Sequence, residues 1–479
     1  MTIKKLLATA ILTGLSAHAF AVNVLKANTE FKHKNYALAV PLYLESALLG
    51  NAHAQYQLGV MYSKGLGVET DAVSALVYFS LAAEKQYYNA EALVNNMLSS
   101  LDESQLMLVK QVVNEVKQKH LLHQQQYLPE LNHNTLDQKV TFDGNDELER
   151  NIYFEALNEF QNFDDELNSM EEDDVTDLVL VVNNPGFLVV ENDVASDGSV
   201  RYVSVVQKSG NTQRYLNAYK LFPLSKPVLN GKPAAFVHRA YLGAAISDQF
   251  TLNKEIPSLY RETRRIVRTA KSNPSLASLY EYAMAMVVFP WMQSEAGEAE
   301  ALLKQLAVKG HPAAMYEYGM QLYLSQKAIP EAIHWITEAS KFGLVRAEYR
   351  LGKLLLSSPW VIADEKKALF WFESAMKKGN DAAALHTAKI KLTSADASLL
   401  DVEGAIQHLD SIVGSQNLNP EYYYLLSLSY RLRPERDFKR AVEELERAIS
   451  MGRRTNWDTS EWEASLAKML EGSITVTDF

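Results

Sequence analysis

His120 and His123 lie three residues apart on one face of an expected helix and form the best metal-ligand pair in the chain. A zinc site needs three or four protein ligands, and no third donor follows at a recognisable spacing. The pair therefore reads as ordinary surface histidines, and no metal or cofactor is expected. Arg261, Arg264, Arg265 and Arg268 recur at helical spacing and make a basic stripe, suited to an anionic surface or to the chain's own acidic segment. That segment, Phe142 to Asp177, carries Asp164-Asp165-Glu166 and Glu171-Glu172-Asp173-Asp174. It lacks the ligand spacing of a calcium-binding loop and reads as a solvated charged helix and loop. No H-E-x-x-H, G-x-S-x-G or Walker loop occurs. There is no cysteine, so disulfides, thiolate metal sites and cysteine nucleophiles are excluded. No catalytic residue can be assigned, and the chain is expected not to be an enzyme.

The elements that would position these groups fill 479 residues, enough for two to four domains. The hydrophobic share of 47% and charged share of 22% suit a folded globular chain. A net charge of −11 argues against nucleic acid, whose phosphates demand a basic surface. Lys4 and Lys5 precede an apolar stretch, Leu6 to Leu15, that is too short to span a bilayer. Ala17-His18-Ala19 and Ala19-Phe20-Ala21 then offer small-x-small cleavage sites. The expectation is a signal peptide over residues 1–21, cleaved after Ala21, and a periplasmic mature chain without a membrane span.

A repeat dominates both ends. Ala39, Tyr43, Ala47 and Ala54 recur 36 residues later as Ala75, Phe79, Ala83 and Ala90. An Ala followed eleven positions later by Gly occurs as Ala39/Gly50, Ala299/Gly310, Ala332/Gly343, Ala368/Gly379 and Ala441/Gly452, and Trp335 and Trp371 also stand one period apart. Such units are antiparallel helix pairs whose apolar stripes are buried only by stacking. Small residues permit close approach, Gly ends the second helix, and Tyr43, Phe79, Trp335 and Trp371 are expected to fill the gap to the next unit. Gly59 lies within the helix that precedes the Gly65-Leu66-Gly67-Val68 turn. These residues resemble Sel1-like repeats, relatives of the tetratricopeptide repeat, most closely from Ala39 to Ala83. The C-terminal copies lack the G-x-G-V turn, and Asn419 to Gly452 is nearer a tetratricopeptide unit. The resemblance implies a solenoid that binds protein partners.

The middle of the chain changes to strands. Leu178 to Val182, Phe187 to Val194, Val200 to Gln207 and Ala234 to Tyr241 are strand-like, with hairpin signals at Asp197-Gly198 and Asn230-Gly231 and a short helix from Tyr215 to Phe222. Asp197-Gly198-Ser199-Val200, the helix Tyr215 to Lys220 and Pro227 to Pro233 are similar to the C-terminal domain of TonB-type energy transducers. Two departures stand out. The segment after the helix runs Phe222-Pro223-Leu224-Ser225-Lys226-Pro227, and no anchor with a proline-rich spacer precedes the domain. The resemblance implies a binding module that accepts an extended peptide at an edge strand, with Ala235, Val237, Arg239 and Tyr241 on one face and Phe236, His238 and Ala240 on the other.

The expected fold is therefore mostly α, with two helical-repeat solenoid segments flanking a small α+β domain. The boundaries are 22–127 for the N-terminal repeats, 128–176 for an acidic linker, 177–245 for the α+β domain, 246–293 for a helical connector and 294–479 for the C-terminal repeats. The expected function is a non-catalytic periplasmic scaffold whose partner is an envelope protein or receptor peptide. A regulator or targeting subunit of a cell-wall-active enzyme, or a cell-wall hydrolase, is the alternative.

Overall fold

The computed structural model describes residues 22–99, 101–144, 186–221 and 224–471. The expected signal peptide, most of the acidic segment and the strand Leu178 to Val182 lie outside them. The chain divides into two compact units, one of residues up to His133 with Ile329–Leu400, the other of Asn134–Ala328 with Asp401 onward. Among the described residues no helix is long and apolar enough to cross a membrane.

The first unit is helical: Val24–Lys32, Tyr36–Leu48, Ala52–Lys64, Ala72–Ala83, Ala90–Leu98 and Glu103–Tyr127, then Ile329–Lys341, Val345–Ser357, Glu365–Met376 and Asp381–Thr393. Short polar residues start the repeat helices. Asn51 accepts from the Ala54 N–H (2.8 Å), Asp71 from Val73 (2.9 Å), Asp364 from Lys367 (2.9 Å) and Asn380 from Ala383 (2.8 Å). Each such cap is worth about 1 kcal/mol. The alanines of the register, Ala39, Ala75, Ala332 and Ala368, are buried, and Gly50, Gly343 and Gly379 share φ values of 81 to 86°. Gly67 has φ +74°, and a Cβ there would meet the Tyr36 backbone at 2.5 Å, so this turn admits only glycine.

The N-terminal repeats and residues 329–400 are thus one unit rather than two separate arms. Where they meet, the Leu25 N–H donates to the Phe342 carbonyl (3.3 Å) and a Cβ on Gly343 would collide with the Val22 carbonyl. The Trp371 indole N–H donates to the Tyr127 carbonyl (2.7 Å), and Asn132 and Ile362 bond the carbonyls of Trp360 and Glu130 (both 2.9 Å). These contacts span more than 200 residues of sequence, beyond the reach of any periodicity.

The second unit holds two small antiparallel sheets. In one, β1 (Val140–Thr141) pairs β4 (Val228–Leu229), which turns through Asn230-Gly231 into β5 (Lys232–Pro233). In the other, β2 (Phe187–Val194) lies between β3 (Val200–Ser209) and β6 (Phe236–Gly243), antiparallel to both. β2 is buried along its whole length. Leu188, Val190, Val194, Ala240 and Leu242 form one cluster with Tyr215 and Tyr219 of the helix Gln213–Leu221. Phe187 and Val189 enter the other with Leu252, Ile256 and Leu259. The remaining helices include Gln249–Glu255, Pro257–Ser272, Leu276–Val288, Glu298–Val308, Pro312–Ser325, Val402–Ser411, Pro420–Leu432, Phe438–Arg454 and Ser460–Glu471.

Several expectations need correction. The last strand begins at Phe236, not Ala234, because the Ala234 N–H is taken by the Pro227 carbonyl (2.9 Å) in the preceding turn. Trp335 is only half-buried. Trp371 is fully buried, and the position four after each of the register alanines Ala39, Ala75, Ala332 and Ala368 is buried as well, which makes Ile336 and Phe372 the counterparts of Tyr43 and Phe79. Gly452 does not end its helix, which continues to Arg454. In the helix Pro420–Leu432, Tyr422 and Tyr423 are buried, while Tyr424 stacks on Trp462 with centroids 5.1 Å apart.

Candidate interaction surface

The repeat helices meet through a glycine-on-aromatic contact. A Cβ added to Gly59 would lie 2.7 Å from the Phe79 ring, and one added to Gly352 would lie 2.7 Å from the Phe372 ring. Both glycines are the eighth residue of their helices, and both rings belong to the helix that follows. A lysine then ties one repeat to the next. Lys85 donates to the carbonyl of Gly50, and Lys378 to that of Gly343 (3.3 Å), each lysine 35 residues beyond its glycine. Lys378 also pairs with the fully buried Glu348 (2.5 Å). Burial pushes the Glu348 carboxyl up to about 7 against the opposing pull of Lys378, whose own pKa burial lowers. Gly352, Lys85 and Lys378 were missed in the sequence; the equal 35-residue spacing was the signal that could have found the lysines.

On the repeat Ala52–Ala83 the polar groups form a chain. The Tyr87 hydroxyl donates to His53 Nδ1 (2.8 Å), His53 Nε2–H donates to Asn28 Oδ1 (2.8 Å), and the Tyr43 hydroxyl donates to that same oxygen (2.7 Å). An acceptor shared by two donors requires the proton on Nε2. Burial lowers the His53 pKa to about 4, which keeps the ring neutral near pH 7. Beside this chain the Tyr56 hydroxyl donates to Asn89 Oδ1 (2.8 Å), and the Tyr88 ring meets Tyr56 edge-on at 5.7 Å. Tyr88 is 84% exposed and holds φ +52°, a backbone conformation unfavourable for a residue with a side chain. An exposed aromatic held in a strained turn against a second ring is poised to make contact.

In the second unit the expected partner-binding face of β6 turns inward. Arg239 donates to Glu191 (2.8 Å) and to Glu317 (2.7 Å), and all three side chains are at most 3% exposed. Burial alone would weaken the guanidinium charge, but Glu317 and Glu191 outweigh it and hold Arg239 protonated well above the ordinary arginine range. Val237 is 2% exposed. Ala235 precedes the strand and Tyr241 is half-buried. The alternation of faces is as expected, yet Val237 and Arg239 are committed within the fold because helix Pro312–Ser325 supplies Glu317 and covers this face.

His120 is buried rather than at the surface, and burial lowers its pKa to about 4, with His123 adding to the effect. His123 is half-buried and sits 4.8 Å from the Tyr127 ring. Among the described residues no cluster of three His, Cys, Asp or Glu side chains is assembled. The arginine stripe is exposed on the helix Pro257–Ser272.

Helix pairs joined by tight glycine turns, stacked through small-residue contacts, define a helical-repeat protein. The Sel1 repeat model matches residues 52–87, 312–341 and 345–380, and these segments are Sel1 repeats. The human protein sel-1 homolog 2 is 38% identical over 80 residues, covering 17% of this chain and 12% of the human protein. The rat protein of the same name is 34% identical over the same length, with the same shares covered. The chain therefore spans about an eighth of the length of these curated relatives. Among solved structures, a protective antigen of uropathogenic Escherichia coli displaying an SLR fold aligns at 13% identity and TM-score 0.34, over 93% of this chain and 71% of its own. A Sel1 repeat protein from Oxalobacter formigenes aligns at 13% identity and TM-score 0.29, over 82% of this chain and 100% of its own. Sel1-repeat proteins are generally protein-interaction scaffolds, typically without catalytic activity.

Proposed function

We propose that this protein is a non-catalytic scaffold that holds a protein partner in the bacterial periplasm. The observation that carries the reading is the set of three Sel1 repeats, the first of which is followed directly by Tyr88, exposed against Tyr56 of that repeat. Aromatic side chains with a rigid backing are the usual anchors of protein interfaces. Export rests on Lys4, Lys5, the apolar stretch Leu6 to Leu15 and the small residues ending at Ala21. A TonB-like role for the central domain draws support from its order of hairpin, helix and strand, with β6 at one edge of the described sheet. In that role an extended segment of an envelope protein would add beside β6 through main-chain hydrogen bonds. Selectivity would come from outside the Val237 and Arg239 side chains, which the fold has used.

The test uses the protein in its native host. Mass spectrometry should find the mature N-terminus near Val22; recovery of intact Met1 on the folded protein refutes export. A photo-crosslinking residue at Tyr88 should capture one envelope protein. The same probe at exposed Lys119 should not, and Tyr88→Ala should abolish co-purification of that protein while leaving the thermal midpoint unchanged. Equal capture from both positions overturns the assignment of this surface.

A further inference from the structure

The helices Gln249–Glu255 and Pro257–Ser272 carry a surface that the scaffold reading does not use. Leu252, Ile256 and Leu259 enter one apolar cluster against β2, so both helices cover the same side of the sheet and their opposite faces look outward from it. On the longer helix the buried positions are Leu259, Thr263, Ile266 and Ala270. At 3.6 residues per turn, Arg261 and Arg268 fall opposite these buried positions, Arg264 and Arg265 flank that pair, and all four are exposed. Their spacing of three, one and three residues concentrates four guanidiniums within about 10 Å along the axis. Arg265 is held by Glu262 (2.6 Å) and Glu281 (2.9 Å). Arg261, Arg264 and Arg268 have no ion-pair partner among the described residues. On the shorter helix Leu252 is buried, and the reverse face carries Phe250, 75% exposed, with Lys254 one turn on.

From Asp248 to Ser272 six basic residues stand against three acidic ones, Asp248, Glu255 and Glu262, in a chain whose net charge is −11. Such a local reversal is not needed for solubility, and among the described residues Arg265 alone of the four arginines is tied by ion pairs. Arginine offers a planar fork that binds phosphate oxygens in pairs, and all four stripe residues are arginine rather than lysine. A protruding Phe beside a cationic face is the pattern of helices that lie at a bilayer interface, the ring entering the headgroup region and the cations meeting anionic lipid. Charge on the rest of the chain matters little to such contact, because exposed charges are screened beyond about 8 Å at physiological salt.

We propose that this face docks the protein peripherally on an anionic phospholipid surface, with Arg261, Arg264 and Arg268 binding lipid phosphates and Phe250 inserting among the headgroups. The test is co-sedimentation of the full chain with vesicles of phosphatidylcholine, alone or mixed with phosphatidylglycerol, at low and high salt. Binding should require phosphatidylglycerol and collapse at high salt. The triple variant Arg261→Gln, Arg264→Gln and Arg268→Gln should lower the partition coefficient at least about tenfold, since each cation near the surface contributes about 1 kcal/mol. A triple variant of equal charge change in the other unit, Lys32→Gln, Lys110→Gln and Lys119→Gln, should bind like the parent. Phe250→Ser should weaken binding without altering its salt slope. Because all the replaced side chains are exposed, circular dichroism and the thermal midpoint should match the parent, and the parent's own salt and lipid dependence stands independently of any variant. Absence of parent binding to the mixed vesicles, equal binding to pure phosphatidylcholine, or equal losses in the two triple variants would each overturn the proposal. The first of these is the outcome expected if the stripe serves an acidic protein partner instead.

Discussion

Arg239 Nη1 lies 2.7 Å from Glu317 Oε2, and this buried ion pair links the edge strand β6 to a helix of the Sel1 repeat at 312–341. Glu191 on β2 completes the cluster, so one guanidinium ties together two strands and a repeat helix.

Removing Arg239 should therefore be costly. Arg239→Met leaves the carboxylates of Glu191 and Glu317 buried without their cation, which is expected to cost about 3–5 kcal/mol. Urea denaturation monitored by circular dichroism reads the loss. Replacing Glu191, Arg239 and Glu317 together by Leu, Met and Leu should restore much of it, since the penalty comes from orphaned charge. A single variant as stable as the parent would show that the pair is not desolvated.

Glycine at the repeat crossing is expected to be needed for space. Gly352→Ala sets a methyl 2.7 Å from the Phe372 ring. Overpacking of this kind costs about 1–3 kcal/mol, against a helix-propensity gain of about 1 kcal/mol. The net effect should be a lower urea midpoint, relieved when Phe372→Leu is added. Gly414→Ala, where a Cβ would meet nothing within 4 Å, should be neutral or stabilising.

Ala339 and Ala375, one period apart and fully buried, should behave alike. Leu at either position is expected to cost about 1–3 kcal/mol by overpacking. A midpoint within error of the parent for both would contradict the register.

As pH falls below 6.5, His120 should weaken the repeats, while Glu348, raised by burial to about 7, acts with the opposite sign over the same interval. His120 has a folded pKa of about 4, below its unfolded value of 6.5, so the unfolded chain binds the extra proton between these limits. Stability from this residue is fully present above pH 6.5 and is lost as pH falls toward 4. At pH 5 the loss should be about 2 kcal/mol relative to pH 7.5. His120→Gln should show a shallower decline over that interval, measured by urea midpoint against pH. An unchanged slope would place the sensitivity elsewhere, His53 being the next group with the same sign.

The sequence alone determined the helical-repeat class, because small residues, aromatics and turn glycines are local requirements that return at a fixed period. Ala39, Ala75, Ala332 and Ala368 are buried where the period places them, and Asp197-Gly198 and Asn230-Gly231 make the turns their dihedral preferences demand. β2 spans Phe187–Val194 as its apolar run implies. Tertiary structure alone decided how these pieces combine. Nothing local in Gly343 says that Val22 will lie against it, nor in Arg239 that Glu317, 78 residues on, will consume its charge. Alternation located Arg239 on the correct face of β6 but could not tell whether that face meets a partner or the protein's own helix. That distinction depends on which elements cover the sheet, and burial by remote segments leaves no periodic trace in the chain. The stripe Arg261 to Arg268 shows the converse: its spacing was legible, but only the burial of Leu259, Thr263, Ile266 and Ala270 on the reverse side showed that it faces outward.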